Sequence, residues 1–236
     1  TDNSLDLVKK YKNKIKIIKK NKKKNVSNFN TFYQLNTYYS GFKKARGKII
    51  CFLDSDDYFK KNKLSQIEFH FSKNPKLNFI FDQPIQVNFH RQIKISKKKY
   101  GFRDKIWPSF PPQSCISVKR NIIQNNLKKL FIKKFNLTTL DFRIASLADI
   151  YRKNCLFLNK SLTYYFQHDK SESIKNFKIL SFNWFRRRKE AYKYYKINNK
   201  KKYLTLDYFF TIIITHFFEN INFYKNKISR YLSKIM

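Results

Sequence analysis

Apolar residues recur along the chain in two alternating rhythms, one helical and one extended. Leu5, Val8 and Tyr11 share a face of an opening helix that Asp2 or Asn3 can cap. "KIKIIKK" over 14–20 reads as a short strand, and the basic, polar stretch after it as a solvated loop. A second helix is predicted over 31–45, ending near Gly47. "KIICFLD" is then a nearly continuous apolar run, the mark of a parallel strand covered on both faces. "KNKLSQIEFHFSKN" returns to helical spacing with Leu64, Ile67 and Phe71 on one side, and Pro75 stops it. "LNFIFD" over 77–82 is another strand. This alternation predicts an α/β fold, an open and mostly parallel sheet flanked by helices.

Beyond residue 83 the order changes. "IQVNFHRQIKIS" alternates like an exposed strand, and "WPSFPPQSC" is a proline-rich loop leading to a strand-like "CISV". Helices are predicted around 119–131 and 140–153, and two short strands at "CLFLN" and "LTYYFQH". After Ser173 the pattern is helical and very basic, then apolar in "YFFTIIITHFF", then basic again. The expected organisation is one domain over 1–173 and a basic amphipathic helical tail over 174–236. The apolar run of the tail is about 11 residues long, too short for a bilayer core that needs about 20. Its basic flanks suit a helix lying on an anionic membrane surface, or one packed against the domain or a partner.

Composition sharpens this only in part. Of 236 residues, 42% are hydrophobic and 18% aromatic, which supports a packed core and excludes wholesale disorder. Against 52 Lys+Arg stand 15 Asp+Glu, a formal net charge of +37. Such a field favours nucleic acid, anionic lipid or phosphorylated small molecules. An AT-rich genome produces the same lysine excess, so charge alone selects no partner. Cys51, Cys115 and Cys155 have no C-x-x-C spacing, which argues against a structural zinc site or disulfide framework and fits a reducing compartment. No signal peptide is visible, and the first residue is Thr1.

Against that background, Asp54, Asp56 and Asp57 stand out, crowded together directly after a strand in "FLDSDD". Like charges so close repel, and burial would make this worse. Ligands of open α/β sheets sit outside the carboxyl ends of the strands, where D-x-D can aim Asp54 and Asp56 the same way. Oxygen ligands so placed suit Mg²⁺ or Mn²⁺ held against a diphosphate. The plain alternative is a loop in which one Asp caps the helix beginning near residue 60.

The segment "GFKKARGKIICFLDSDDYFKKNKL" resembles the signature of the inverting family 2 glycosyltransferases of the GT-A fold, matching at Gly41, Ala45, Gly47, Phe52, Leu53, Asp54, Ser55, Asp56, Asp57 and Leu64. "TDNS" at 1–4 resembles the second half of that family's D-D-G-S-T-D-N-S turn, which makes Asp2 a donor-binding candidate with Asp54 and Asp56. It also implies that roughly 35–40 residues, a βαβ piece, are missing before Thr1. "FPPQSCISVKRNII" resembles the segment that approaches the acceptor, which points to Gln113 and Ser114. "TTLDFRIASLADIY" and the stretch through "FQHDKSES" imply Asp141 as catalytic base and His168 as a contact of the diphosphate or metal beside Asp56 and Asp57. Asp141 can equally be an acidic residue favoured at a helix N-terminus. Trp107 and Phe110 could form an aromatic platform for the acceptor sugar, and Phe110 can equally be a loop residue packed onto the core.

The resemblance covers roughly residues 1–173. It departs from the family at Tyr38-Tyr39, where relatives often carry Arg-Asn, and at Leu140, where many have Glu before the Asp. The Q-x-x-R-W motif of processive synthases is absent, which disfavours polymerisation. The expected function is metal-assisted, inverting transfer of a sugar from a nucleotide-diphosphate donor to a hydroxyl of a surface glycan or lipid-linked saccharide. A cytoplasmic enzyme, peripheral on the inner face of the membrane, is the localisation implied. The rival readings are a non-catalytic relative of the same fold and a nucleic-acid-binding protein. The latter has no recognition module here and leaves the carboxylates unexplained.

Overall fold

A computed structural model describes residues 3–18, 30–88, 93–95, 98–102, 109–167, 176–199 and 205–235. The elements in chain order are α1 (Ser4–Lys9), α2 (Asn30–Lys44), β1 (Ile49–Cys51), β2 (Tyr58–Phe59), α3 (Lys63–Lys73), β3 (Phe79–Val87) and β4 (Ile93–Ile95). There follow β5 (Ile116–Lys119), α4 (Arg120–Asn125), α5 (Leu127–Leu130), α6 (Leu140–Ile150), β6 (Cys155–Phe166), α7 (Phe182–Asn199) and α8 (Leu206–Ile235).

The strands form one sheet of order β1-β5-β3-β6-β2, with β4 on the β5 side of β3. Strand β3 is its axis, and alternation along it sorts the two layers. Phe79 and Phe81 face a core built with Phe42 and Phe52, Ile116 and Val118, Ile123, and Ile144 and Leu147, so α2, α4 and α6 cover that face. Ile80 faces the other way, onto Ile67 and Phe71 of α3 and Leu158 and Leu162 of β6. The result is a helix–sheet–helix sandwich.

The α/β architecture is as expected, but the sheet is mixed rather than mostly parallel. Among the described strands only β3 and β6 run parallel, while β1–β5, β3–β5, β2–β6 and β3–β4 are antiparallel. A continuous apolar run reports burial on both faces and carries no information about the direction of the neighbour. Other boundaries shift for physical reasons. The proposed strand over 14–20 lies in turns and irregular chain as far as it is described, with Ile15 and Ile17 exposed and no strand paired with them among the described residues. The helix expected over 119–131 breaks at Asn126, whose side chain turns back to donate to the Ile122 carbonyl. "CLFLN" and "LTYYFQH" join into the single strand β6, which accommodates register shifts opposite Gln83. On α3 the buried stripe is Lys63, Ile67 and Phe71, with Leu64 exposed.

The tail begins in the described residues with α7, which lies against α6. Phe142 of α6 and Phe135 pack with Ala191, Tyr194 and Tyr195 of α7. Polar contacts lock the same interface: Ser146 exchanges hydrogen bonds with Asn199, and Tyr195 donates to Asp149. Helix α8 then packs on α7 through Phe185 against Phe210 and Phe218, with ion pairs Arg188–Asp207 and Lys189–Glu219. Among the described residues no helix is long and apolar enough to cross a membrane.

Candidate active site

The acidic loop leaves β1 and is pinned before it turns. The Phe52 amide donates to the Ile116 carbonyl at 3.2 Å, and the Asp57 amide closes a turn onto the Asp54 carbonyl at 3.1 Å. Asp54 is held from two other elements. Its amide donates to Ser114 Oγ at 2.9 Å, and its Oδ1 accepts Tyr38 Oη at 2.9 Å and Gln113 Nε2 at 2.7 Å. Gln113 and Ser114 are both buried, in the short 3₁₀ turn Gln113–Cys115 ahead of β5. Gln113 holds the Asp54 carboxylate, while the Ser114 hydroxyl serves both the Asp54 amide and the Asp57 carboxyl. The Tyr38 hydroxyl is thus a neutral donor to the Asp54 carboxylate.

Asp57 goes elsewhere. It is 8% exposed, and its Oδ1 accepts the Phe166 amide at the end of β6 at 2.9 Å. Its Oδ2 is buried without a hydrogen-bond partner among the described residues. Burial raises the proton affinity of this carboxyl, while the Ser114 hydroxyl, the Phe166 amide and the Lys63 charge act against that.

Directly below sits a buried ion pair that periodicity alone had hidden. Lys63 Nζ lies 2.7 Å from Asp82 Oδ1 and donates to the Ser114 carbonyl and to Thr163 Oγ1, each at 2.6 Å; both charged side chains are fully buried. Thr163 in turn donates to Asp82 Oδ2 at 2.7 Å. The pair ties α3, β3 and β6 to the same turn that holds Asp54.

Asp54 and Asp56 open onto a cleft of about 890 Å³, whose wall also includes Gln113, Tyr165, Asp141 and Arg187. Asp141 stands in the first turn of α6, with its Oδ1 accepting the Phe142 amide at 2.7 Å. The loop leading to it is clamped twice. Buried Arg143 donates to the carbonyls of Leu130, Phe135 and Thr138. Glu190 of α7 accepts the amides of Leu137 and Thr138 at 2.7 and 2.8 Å.

The negative field converges in this cleft. Burial first, and then the charges of Asp57, Asp141 and Asp56, push the Asp54 carboxyl up to about 6, against the pull of the Tyr38 hydroxyl. Tyr165 is raised to about 12 by burial and by the same four aspartates. Binding a cation or a cation-bearing ligand would relieve this crowding. The donor set fits Mg²⁺ or Mn²⁺ only as a shared site. Among the described residues no group of three or more His, Cys, Asp or Glu side chains is arranged to hold a metal, and Asp57 is not part of the cleft wall. Asp54 and Asp56 would therefore supply the protein oxygens, and phosphate and water the rest, the usual habit of Mg²⁺.

Of the residues singled out in the sequence, Asp54, Asp56, Gln113, Phe110 and Asp141 share this cleft. Asp57 and Ser114 lie behind it, and Asp2, Trp107 and His168 fall outside the described residues. Lys63, Asp82, Thr163, Glu190 and Arg187 were not singled out. Two of them left a trace: Lys63 shares the helical stripe of Ile67 and Phe71, and Asp82 interrupts an apolar strand. Both read as polar residues on buried faces.

A helix–sheet–helix sandwich with an acidic cleft at the ends of the strands of a mixed sheet is the architecture of the GT-A fold. The chain belongs to glycosyl transferase family 2, whose model matches residues 1–127. Among solved structures it is similar to the crystal structure of S. aureus TarS 1-349, at 16% identity and a TM-score of 0.48 over 91% of this chain. It is also similar to the crystal structure of S. aureus TarS, at 14% identity and a TM-score of 0.43 over 88% of this chain. The chain spans 66% of the first of these and 39% of the second. No curated protein matches it.

Proposed function

We propose that the chain transfers a sugar from a nucleotide-diphosphate donor to an acceptor hydroxyl with inversion. The observation that carries this is the presence of Asp54, Asp56 and Asp141 in one cleft. Asp54, fixed by Tyr38 and Gln113, and Asp56 face the donor diphosphate. A divalent cation bound there would offset phosphate charge and make the nucleotide a better leaving group. Asp141 accepts the proton of the acceptor hydroxyl as its oxygen attacks the anomeric carbon. The carbon–oxygen bond to the donor breaks on the opposite face, and its electron pair stays on the phosphate. One displacement inverts the anomeric centre. The buried seat of Asp57 and the Lys63–Asp82 pair keeps the loop rigid while this occurs, so that only two of the three clustered aspartates are exposed to the donor.

The test is release of nucleotide diphosphate from a panel of nucleotide sugars with Mn²⁺ or Mg²⁺. Turnover should depend on the metal, and the metal concentration that half-saturates it should rise as pH drops through about 6, where unliganded Asp54 takes up its proton. Metal-independent turnover, or a metal affinity unchanged across that pH range, would count against this use of Asp54. The sign for the unliganded chain is opposite. Folded Asp54 holds its proton to about 6 rather than 3.8, so its stabilising contribution is complete below the lower value and is lost as pH rises through the higher.

We also propose peripheral contact with an anionic membrane, on the cytoplasmic side. Leu206, Phe210, Ile213 and Phe217 of α8 follow helical spacing and are 89%, 57%, 65% and 60% exposed. With a net charge of +37, a second copy is repelled and an acidic lipid surface attracted. The chain should co-sediment with phosphatidylglycerol vesicles and much less with phosphatidylcholine ones. Replacing Ile213 and Phe217 by Ser should release it; retention of the double variant would remove α8 from the contact.

A further inference from the structure

Helix α7 turns one stripe of side chains toward α6 and the loop ahead of it. Arg187, Glu190, Ala191, Tyr194 and Tyr195 stand at helical spacing and share a face. The C-terminal part of the stripe is packing: Ala191, Tyr194 and Tyr195 lie with Phe135 and Phe142. Its N-terminal part is polar and directed at the loop. Glu190 Oε1 accepts the Leu137 amide at 2.7 Å, the Thr138 amide at 2.8 Å and Thr138 Oγ1 at 3.1 Å. Arg187 donates to Thr139 Oγ1 at 3.3 Å. Two residues one turn apart on α7 thus hold three consecutive residues of the loop, and Asp141 follows two positions later.

These contacts supply what the loop cannot provide for itself. Leu137 and Thr138 are 4% and 2% exposed, so their amides need an acceptor other than bulk water. Both precede α6 and fall outside its own ladder of hydrogen bonds. Thr139 stands at the N-cap of α6, yet its side chain makes no cap bond to the helix, a bond that would otherwise help to fix the first turn. The first turn, where Asp141 sits, takes its direction from residues 137–139, and these are held by α7. Arg143 of α6 grips the same residue from the other side, donating to the Thr138 carbonyl at 3.1 Å. Thr138 is therefore fixed at both its amide and its carbonyl, and the opposite charges of Arg143 and Glu190 favour each other across it.

We infer that Glu190 is a positioning residue for the reaction: it fixes the loop over 137–139 and, through that loop, the place of the Asp141 carboxylate. Positioning of a base rests on the glycosyl-transfer reading above; the clamp on the loop does not. Glu190 is not part of the cleft wall, whereas Asp141 is, so its influence runs through backbone alone. That is enough, because a misplacement of about 1 Å by a change far from the chemistry can cost about 10²-fold in rate.

The test compares Glu190→Ala with Glu190→Gln in the full chain. Glutamine keeps an oxygen able to accept the two amides, and alanine leaves them without it. Amide exchange at Leu137 and Thr138 needs no substrate. It should quicken about tenfold or more in Glu190→Ala, the worth of one charge-assisted hydrogen bond. It should stay near native in Glu190→Gln, and exchange at Phe81 in the central strand should not change in either. With a nucleotide sugar that is turned over, Glu190→Ala should lower kcat about 10- to 100-fold while donor KM moves by no more than about twofold. Glu190→Gln should recover most of that loss. Tyr195→Phe removes a hydrogen bond to Asp149 from the same helix interface, away from the loop. It should lower the melting temperature and leave kcat as it was; a merely structural Glu190 would behave likewise. In an Asp141→Asn background, Glu190→Ala should cost little more, because it acts through that carboxylate. Native exchange in Glu190→Ala, unchanged kcat despite faster exchange, equal losses in the two variants, or an undiminished further loss beside Asp141→Asn overturns the inference. Failure to turn over any nucleotide sugar instead removes the transfer reading, and the exchange rates still decide whether Glu190 holds the loop.

Discussion

Asp141→Asn lowers turnover for sugar transfer by about 10²–10⁴-fold, the usual worth of a positioned general base. The fold should survive, because an asparagine carbonyl can accept the Phe142 amide as the carboxylate does now. Melting temperature is expected to stay within a degree or two of the native chain, and the donor should still bind. A second readout separates a catalytic role from a merely structural one. The charge of Asp141 is among the causes that hold the Asp54 carboxyl high. Its removal should move the acid limb of metal-dependent donor binding to lower pH. A variant that loses donor binding and turnover together would show Asp141 to be part of the scaffold.

Lys63→Met is expected to cost about 3–5 kcal/mol in stability, because it strands the Asp82 carboxylate in a fully buried site. The urea midpoint should fall accordingly. Part of the loss should return on acidification, since an unpaired buried carboxyl can escape the penalty by taking a proton. Lys63→Met combined with Asp82→Leu should recover most of the stability, as apolar replacement of a buried pair often does. It should not recover donor affinity. The Ser114 carbonyl loses the Lys63 ammonium, and the Ser114 hydroxyl is the acceptor for the Asp54 amide. A double variant that folds well and has native donor affinity would show that the ion pair stabilises the fold without setting the geometry of the loop.

These two positions also show what could be read from the amino acids. The helix–strand alternation and the acidic loop were visible because each is local: a period, a turn, a cluster of charge in a basic chain. Asp141 was visible through the motif around it. What the Asp54 carboxylate touches was not visible, because Tyr38 and Gln113 approach from elements 16 and 59 residues away. The sense of strand pairing escaped for the same reason; an apolar run at β1 is as compatible with an antiparallel neighbour as with a parallel one. Lys63 illustrates a subtler failure. Assigning Leu64 to the buried face follows hydrophobicity, whereas the observed face begins one residue earlier, with a lysine whose charge is met by β3. A lysine at the head of an apolar stripe and an aspartate inside an apolar strand are a pair of signals that acquire meaning only together. The role of α7 was hidden because composition marks it as basic and amphipathic, which describes its surface and not its contact with the cleft.

Helix α7 lies beyond residues 1–127, where the family match ends, yet it carries both Arg187 at the cleft and Glu190 on the loop that presents Asp141. The cleft wall and Asp141, the proposed base, are therefore joined through one helix. Grafting that helix from a relative to redirect selectivity would also reseat Asp141. Lineages that retune what they glycosylate would then have to change the loop over 137–139 and the helix in concert, while the loop of Asp54 and Asp56 could stay as it was.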